Sequence, residues 1–265
     1  MKKLKMFSIL LLLVSTAAFI LFQMYSRVVQ DSTPPVVTCE TQELTVPIDA
    51  SEEDLLQGVT AKDRRSGDVT DTIVIESLSA FTDEGTRIIT YAAVDKSMNV
   101  GRCERTLKYK DYEPPVFGMS APLCFVEGSQ VDILSCMSAE SVLDGDLSSN
   151  IKYSLEKTVN TAMPGNYPVE FRVMDSGGKT VYLETDIEIY EREYSGIDIE
   201  LKDYLVYVKK GADFDAKSYF KKSSQEGELV VRSHVDTSKK GVYTVDYIVK
   251  GTAVSGKSRL VVVVE

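Results

Sequence analysis

Apolar and polar residues alternate with a period of two in three separate stretches of the chain, and each stretch is opened by a glycine. After Gly85 the matching steps carry Ile89, Tyr91 and Ala93. After Gly165 they carry Tyr167, Val169, Phe171 and Val173, and after Gly241 they carry Tyr243, Val245, Tyr247 and Val249. β-Branched and aromatic residues at every second position describe a strand with one face in a core and the other in water. Each strand then meets a turn, at residues 95–99, 175–178 or 250–251, and a second alternating run, such as 179–190 or 259–264, closes a hairpin. Helix is scarce in this pattern. Ser51 followed by Asp54 and stopped by Gly58 predicts one or two helical turns, and residues 213–220 are a second short candidate.

The alternation belongs to a larger repeat. Asp31-Ser32-Thr33-Pro34-Pro35-Val36 returns as Asp111-Tyr112-Glu113-Pro114-Pro115-Val116, 80 residues on, and Gly67-Asp68-Val69 returns as Gly145-Asp146-Leu147, 78 residues on. A repeat of this period predicts a string of small domains. The expected division is a short tail plus transmembrane anchor over 1–30, then units over 31–112, 113–193 and a diverged 194–265. Units of this size bury only ~60% of their unfolded surface, so disulfides or neighbours help each one. Several short strands with turn residues between them predict an all-β fold of three tandem Ig-like β-sandwiches.

The order Asp-x-x-Pro-Pro-Val, Gly-Asp-Val-Thr, glycine with alternating Tyr and Val, then Asp-x-x-Gly or Asn resembles the bacterial immunoglobulin-like and hyalin-repeat-like domains of surface and secreted proteins. The same module is similar to one appended to some pesticidal crystal toxins. The resemblance covers residues 31–190 well and 195–265 weakly, since the third unit lacks the Pro-Pro entry and has Gly227-Glu228 in place of Gly-Asp. It implies a sandwich used as a stalk, spacer or adhesion module, generally without catalysis, and it implies no ligand.

The first thirty residues differ from all of this. Lys2, Lys3 and Lys5 precede a run from residue 6 to residue 24 with no charge and only Ser8, Ser15, Thr16 and Gln23 as polar interruptions. Nineteen residues at ~1.5 Å rise nearly span a bilayer core. The lysines belong inside, which predicts a single-pass protein with its N-terminus cytoplasmic and everything after residue 30 extracellular. Ser15-Thr16-Ala17-Ala18 is a competing cleavage site, but apolar residues continue through Phe22, beyond a usual signal core.

Charge narrows the partners. Residues 31–112 carry −7 and residues 113–190 carry −8, whereas residues 191–265 carry +1. Acidic surfaces disfavour nucleic acid and anionic lipid. The last unit concentrates lysine at 209–210, 221–222 and 239–240, which reads as a solvated face or as the place for an anionic partner.

Few residues carry candidate chemistry. Residues 251–258 spell G-x-x-x-x-G-K-S, but the phosphate-cradling loop of that spelling opens a helix. Here a strand of valines follows, so no nucleotide is expected. His234 has no triad partner nearby, so no catalytic residue and no cofactor site is assigned. Cys39, Cys103, Cys124 and Cys136 suggest two bridges in an exported chain. Pairing within units joins Cys39 to Cys103 and Cys124 to Cys136, with free core thiols as the alternative. Asp63, Asp68 and Asp71 crowd one loop, and Asp144 and Asp146 occupy its counterpart. Hard carboxylates suit Ca²⁺, although Asp-Gly-Asp is also what a tight turn prefers. The two Asp-x-x-Pro-Pro entries read as stiff linkers.

The chain therefore reads as a membrane-anchored bacterial surface protein of tandem Ig-like domains, with no enzyme activity. Its expected partners are the membrane, through the N-terminal helix, and a surface protein or a cell-wall or host polymer. Three sandwiches in line would reach ~100 Å. The alternative is an extracellular carbohydrate-binding module, disfavoured by the absence of tryptophan but kept open by 14 tyrosines.

Overall fold

A computed structural model describes residues 2–29, 31–82 and 85–265, and the chain divides into two compact units, Met1–Asp111 and Tyr112–Glu265. The first unit begins with helix α1 (Lys2–Val29), whose residues Met6–Tyr25 form an uncharged apolar span with no protein packed around it. Strands β1 (Val36–Cys39) and β2 (Glu43–Val46) lead to helix α2 (Glu52–Leu56). That helix starts where the sequence predicts, because Ser51 accepts from the Asp54 N–H while the Asp54 carboxylate accepts from the Ser51 N–H, a capping box that satisfies two orphan donors. β3 (Val59–Asp63), β4 (Gly67–Asp68), β5 (Val74–Leu78), β6 (Thr86–Val94) and β7 (Val100–Tyr109) complete the unit.

These strands make two sheets, in the orders β1-β3-β4 and β2-β7-β6-β5, antiparallel throughout except for the parallel β2–β7 pair. Ile89, Tyr91 and Ala93, the positions marked by the alternation, are fully enclosed. The last residues before β1 run against β7 at Gly101, where an added Cβ would lie 1.9 Å from the Pro35 carbonyl oxygen. No side chain fits there.

The second unit repeats the plan twice. Its strands are β8 (Val116–Met119), β9 (Cys124–Val126), β10 (Met137–Ser141), β11 (Gly145–Asp146), β12 (Lys152–Leu155), β13 (Gly165–Met174) and β14 (Thr180–Tyr190), then β15 (Ile199–Leu201), β16 (Leu205–Val208), β17 (Phe220–Ser223), β18 (Glu228–Ser233), β19 (Gly241–Lys250) and β20 (Ser255–Val264). The sheets are β11-β10-β8 with β12-β13-β14-β9, and β15-β17 with β16-β20-β19-β18. In each pair one short strand runs parallel to the last long strand, as β2 does to β7: β9 to β14 and β16 to β20. The chain is thus mostly β, in Ig-like pairs of sheets after an apolar helix. Residues 213–220 give only a short 3-10 turn, Ala216–Tyr219, before β17.

Val169, Phe171 and Val173 enter one core, and Val245, Tyr247 and Val249 enter another. The two bodies of this unit also pack on each other. Leu205 and Val263, which alternate with the inward residues of β16 and β20, pack against the core around Phe171. Ile248 and Val261 are buried although they lie on the face opposite Tyr247. The outward face of the last four-stranded sheet is therefore covered in part, which is how a small body gains apolar burial that it lacks alone.

Cys39 at the end of β1 is bonded to Cys103 in β7, across 64 residues of chain. Closing a loop of that length stabilises by ~4 kcal/mol in the chain-entropy account. Replacing both cysteines by alanine in the full chain is expected to remove about 2–4 kcal/mol from the first unit's unfolding transition in urea, leaving the second unit's transition in place.

Candidate functional site

The other two cysteines form no bridge. Cys124 and Cys136 are both free and buried, in place of the pairing expected from keeping each loop within one unit. The pleat explains this. Leu123 and Phe125 face the core that contains Cys136, so Cys124, between them, points to the opposite side of the strand. Two side chains on opposite faces of a strand do not meet the geometry of a disulfide.

Cys124 instead faces the junction within the second unit, where four charges are sequestered. Glu188 lies directly opposite Cys124 in the β9–β14 pair and opposite Asn166 in the β13–β14 pair. From the other body come Asp246 and Arg259, opposite each other in the β19–β20 pair, and Lys257. Lys257 Nζ donates to Glu188 Oε1 and lies 3.6 Å from Asp246 Oδ2. Arg259 Nε donates to Asp246 Oδ1 at 2.7 Å, and its Nη1 donates to Asn166 Oδ1 at 3.0 Å. Glu188 Oε2 sits 3.0 Å from Arg259 Nη2 but out of line with its N–H bonds, so that contact is one of charge alone. Two acids and two bases leave the cluster neutral.

Burial works against the charges of Asp246 and Arg259, yet their partners override it. It would raise the Asp246 pKa, but the bond from Arg259 and the fields of Arg259 and Lys257 hold that carboxyl below its ordinary value. It would lower that of Arg259, but Asp246 and Glu188 hold it higher. The Cys124 thiol is pushed up to about 12, first by burial and then by Glu188, so it stays protonated and inert. Lys257 and Ser258, from the G-x-x-x-x-G-K-S spelling, lie in strand β20 with no helix after them.

The acidic loops separate into two kinds. Asp68 accepts the Thr70 N–H at 3.0 Å and Asp146 accepts the Ser148 N–H at 2.9 Å, both in exposed turns of the kind that Asp stabilises, while the exposed Asp144 accepts the Ser176 N–H at 2.8 Å from the turn after β13. Gly67 and Gly145 supply the positive φ that these hairpins require. Asp71 is the middle residue of a 3-10 turn, Thr70–Thr72. Asp63 is different. It is buried and brought together with Asp31 and Asp95, one oxygen of each lying within 4.8 Å of the others. Sequence reasoning read Asp31 as a linker residue and Asp95 as a turn residue. The signal for them was the repeat itself, which places Asp111 and Asp175 at the matching positions.

A shallow depression of about 670 Å³ lies on the outer face of β12, β13 and β14. Lys152, Arg172 and Tyr182 cross it in one row of paired residues, with Asn150 and Thr180 at its edge. Tyr182 is exposed.

Residues 30–109 match the HYR domain family, a stretch that contains the whole first β-body and less than a third of the chain. No curated protein matches the chain. Among solved structures, the protocadherin GammaB4 extracellular domain is 12% identical with a TM-score of 0.22, the chain covering 88% of itself and 49% of that structure. The CBM51-2 structure, in complex with GlcNAc and with INT domains, from Clostridium perfringens ZmpB is 14% identical with a TM-score of 0.24, covering 87% and 42%. Drosophila N-cadherin EC1-4 is 15% identical with a TM-score of 0.24, covering 88% and 75%. The chain thus spans about half the length of the first two, and likeness at these scores bears no argument about partners.

The junction generates a test. Removing one member of a buried charge pair leaves its partner uncompensated, at a cost of ~3–5 kcal/mol. Glu188→Ala is expected to lower the second unit's stability by that order in urea unfolding, whereas Glu76→Ala, which breaks the exposed pair with Arg102, leaves the first unit's midpoint unmoved. Because the folded pKa of Asp246 is depressed, its stabilisation is complete above the unfolded value of ~3.9 and is lost as pH falls through the folded one. The second unit's urea midpoint is expected to fall below about pH 4, and Asp246→Asn is expected to shallow that fall.

Proposed function

We propose that this chain is a single-pass membrane protein of bacterial type, whose Ig-like bodies act outside the cell as a non-catalytic stalk, adhesion or protein-interaction module. One observation carries this reading: an uncharged apolar helix of 20 residues, Met6–Tyr25, with no protein around it, is followed almost at once by a disulfide-bonded β-body. Lipid is the solvent that suits such a helix, and the Cys39–Cys103 bond belongs to an oxidising compartment. Lys2, Lys3 and Lys5 put the N-terminus inside. The HYR match over residues 30–109 supports a surface module. Nucleotide and nucleic acid are not among the proposed partners; a surface protein or a cell-wall or host polymer is.

A second reading, a carbohydrate-binding module, is favoured by the depression around Tyr182. An exposed aromatic ring beside Lys152, Arg172 and Asn150 offers an apolar platform rimmed by hydrogen-bond donors, the makeup of many small-ligand sites.

The two readings separate experimentally. In intact cells carrying the full chain with a C-terminal epitope, the epitope is expected in the membrane fraction, resistant to carbonate extraction and removed by external protease. Release into the medium with a new N-terminus near residue 18 would replace the tether by a cleaved leader. Glycan-array binding that Tyr182→Ala abolishes would favour the carbohydrate reading.

A further inference from the structure

Asp31, Asp63 and Asp95 reach one point of the first β-body from three places: the segment before β1, the end of β3, and the turn after β6. Their relative exposures are 8%, 7% and 4%, so each is more than nine-tenths buried. Four of their six oxygens accept hydrogen bonds. Asp31 Oδ1 accepts the Thr33 N–H, and Asp63 Oδ1 accepts the N–H groups of Arg65 and Ser66. Asp95 Oδ1 accepts those of Ser97 and Asn99, and its Oδ2 accepts from the Asn99 side-chain amide. The same amide donates to the Asp31 carbonyl oxygen, tying the entry segment to the turn.

Asp31 Oδ2 and Asp63 Oδ2 are buried and accept no hydrogen bond. The Arg65 Nε lies 3.9 Å from Asp31 Oδ2, too far for a hydrogen bond, on a side chain that is half exposed. Three buried carboxylates at such short range, with two of their oxygens lacking any donor, call for a compensating cation.

We propose that Asp31, Asp63 and Asp95 bind one divalent cation, Ca²⁺, which pins the entry segment to the β3–β4 and β6–β7 turns. Oxygens that all lie within 4.8 Å of one another can be spanned by Ca–O bonds of ~2.3–2.6 Å, whereas Mg²⁺ gives up its water reluctantly and is seldom held by an all-protein cage. Carbonyl oxygens and water would complete the shell. The neighbouring repeat serves as an internal control. Ser141 pairs with Gly145 as Asp63 pairs with Gly67, so the middle carboxylate is replaced by a hydroxyl. Asp111, the counterpart of Asp31, accepts the Ile48 N–H in an exposed position, and Asp175, the counterpart of Asp95, accepts from the Tyr112 hydroxyl and the Lys179 N–H. Among the described residues, Asp31, Asp63 and Asp95 are the one group of three possible ligands.

The test is independent of where the chain resides. The full chain in detergent, stripped with EGTA, is titrated calorimetrically with CaCl₂ and separately with MgCl₂. The expected result is about one Ca²⁺ per chain with a dissociation constant of about 10⁻⁴–10⁻³ M, as in other extracellular modules, and Mg²⁺ at least about tenfold weaker. Asp63→Asn is expected to weaken Ca²⁺ binding by about tenfold or more, with circular dichroism unchanged, while Asp144→Asn and Asp146→Asn leave it alone. If Asp63→Asn fails to fold, Asp31→Asn, outside the sheets, carries the same expectation. No saturable binding by the wild-type chain would overturn the proposal. Binding undiminished by the substitutions at 63 and 31, or lost on Asp144→Asn, would overturn it too.

Discussion

The antiparallel pairing of two long strands, present as β6–β7, β13–β14 and β19–β20, is the constraint on which the rest of this molecule depends. Because side chains alternate across a strand, fixing Phe171 and Leu183 inward fixes Asn166, Arg172, Tyr182 and Glu188 outward along the same ladder. A slip of one residue would exchange the two sets. The inward set is what makes each slip costly, since a fully buried apolar side chain contributes ~1.5–3 kcal/mol. The outward surface is thus held in place by the inward residues of the same strands.

The last body uses this constraint on both sides. Tyr247 and Leu260 point into its own core, and the residues between them in the pleat, Asp246, Arg259 and Val261, are buried as well or nearly so. Burying Arg259 with Glu188, Asp246 and Lys257 is tolerable only because the charges balance and each guanidinium or ammonium group has an oxygen to bond. The same packing isolates Cys124. Burial first, and then Glu188, push its thiol up to about 12, so it stays protonated and a poor nucleophile.

The alternation of Ile89-Tyr91-Ala93, Val169-Phe171-Val173 and Val245-Tyr247-Val249 was legible in the sequence because it follows from local geometry alone. So were the capped helix after Ser51 and the strand character of residues 257–264, where a letter-perfect phosphate motif was set aside on the absence of a helix. The Cys124–Cys136 expectation failed because loop length says nothing about which face of β9 a side chain occupies. Lys257 and Glu188 were illegible as partners, since they belong to different repeats and meet only when two bodies pack. Asp68 and Asp146 look like Asp63 in sequence, yet their turns are exposed and satisfy themselves. What separates Asp63 is burial, and burial is decided by where the entry segment and the β6–β7 turn pass.

Those two passages are set by one backbone contact and one side-chain amide. The Pro34-Pro35 segment lies so close to Gly101 that a Cβ there would collide with the Pro35 carbonyl, which fixes where Asp31 sits, and the Asn99 amide holds Asp31 and Asp95 to each other. The second repeat has Val181 where the first has Gly101 and Ser141 where it has Asp63. Its entry cannot approach the last strand in the same way, and its remaining acid, Asp175, is satisfied by a neutral hydroxyl from Tyr112. Two copies of one plan have therefore diverged at the same end of the sandwich. One keeps three carboxylates at close range, and the other has dispersed them while using the face of its long hairpin to hold the third body.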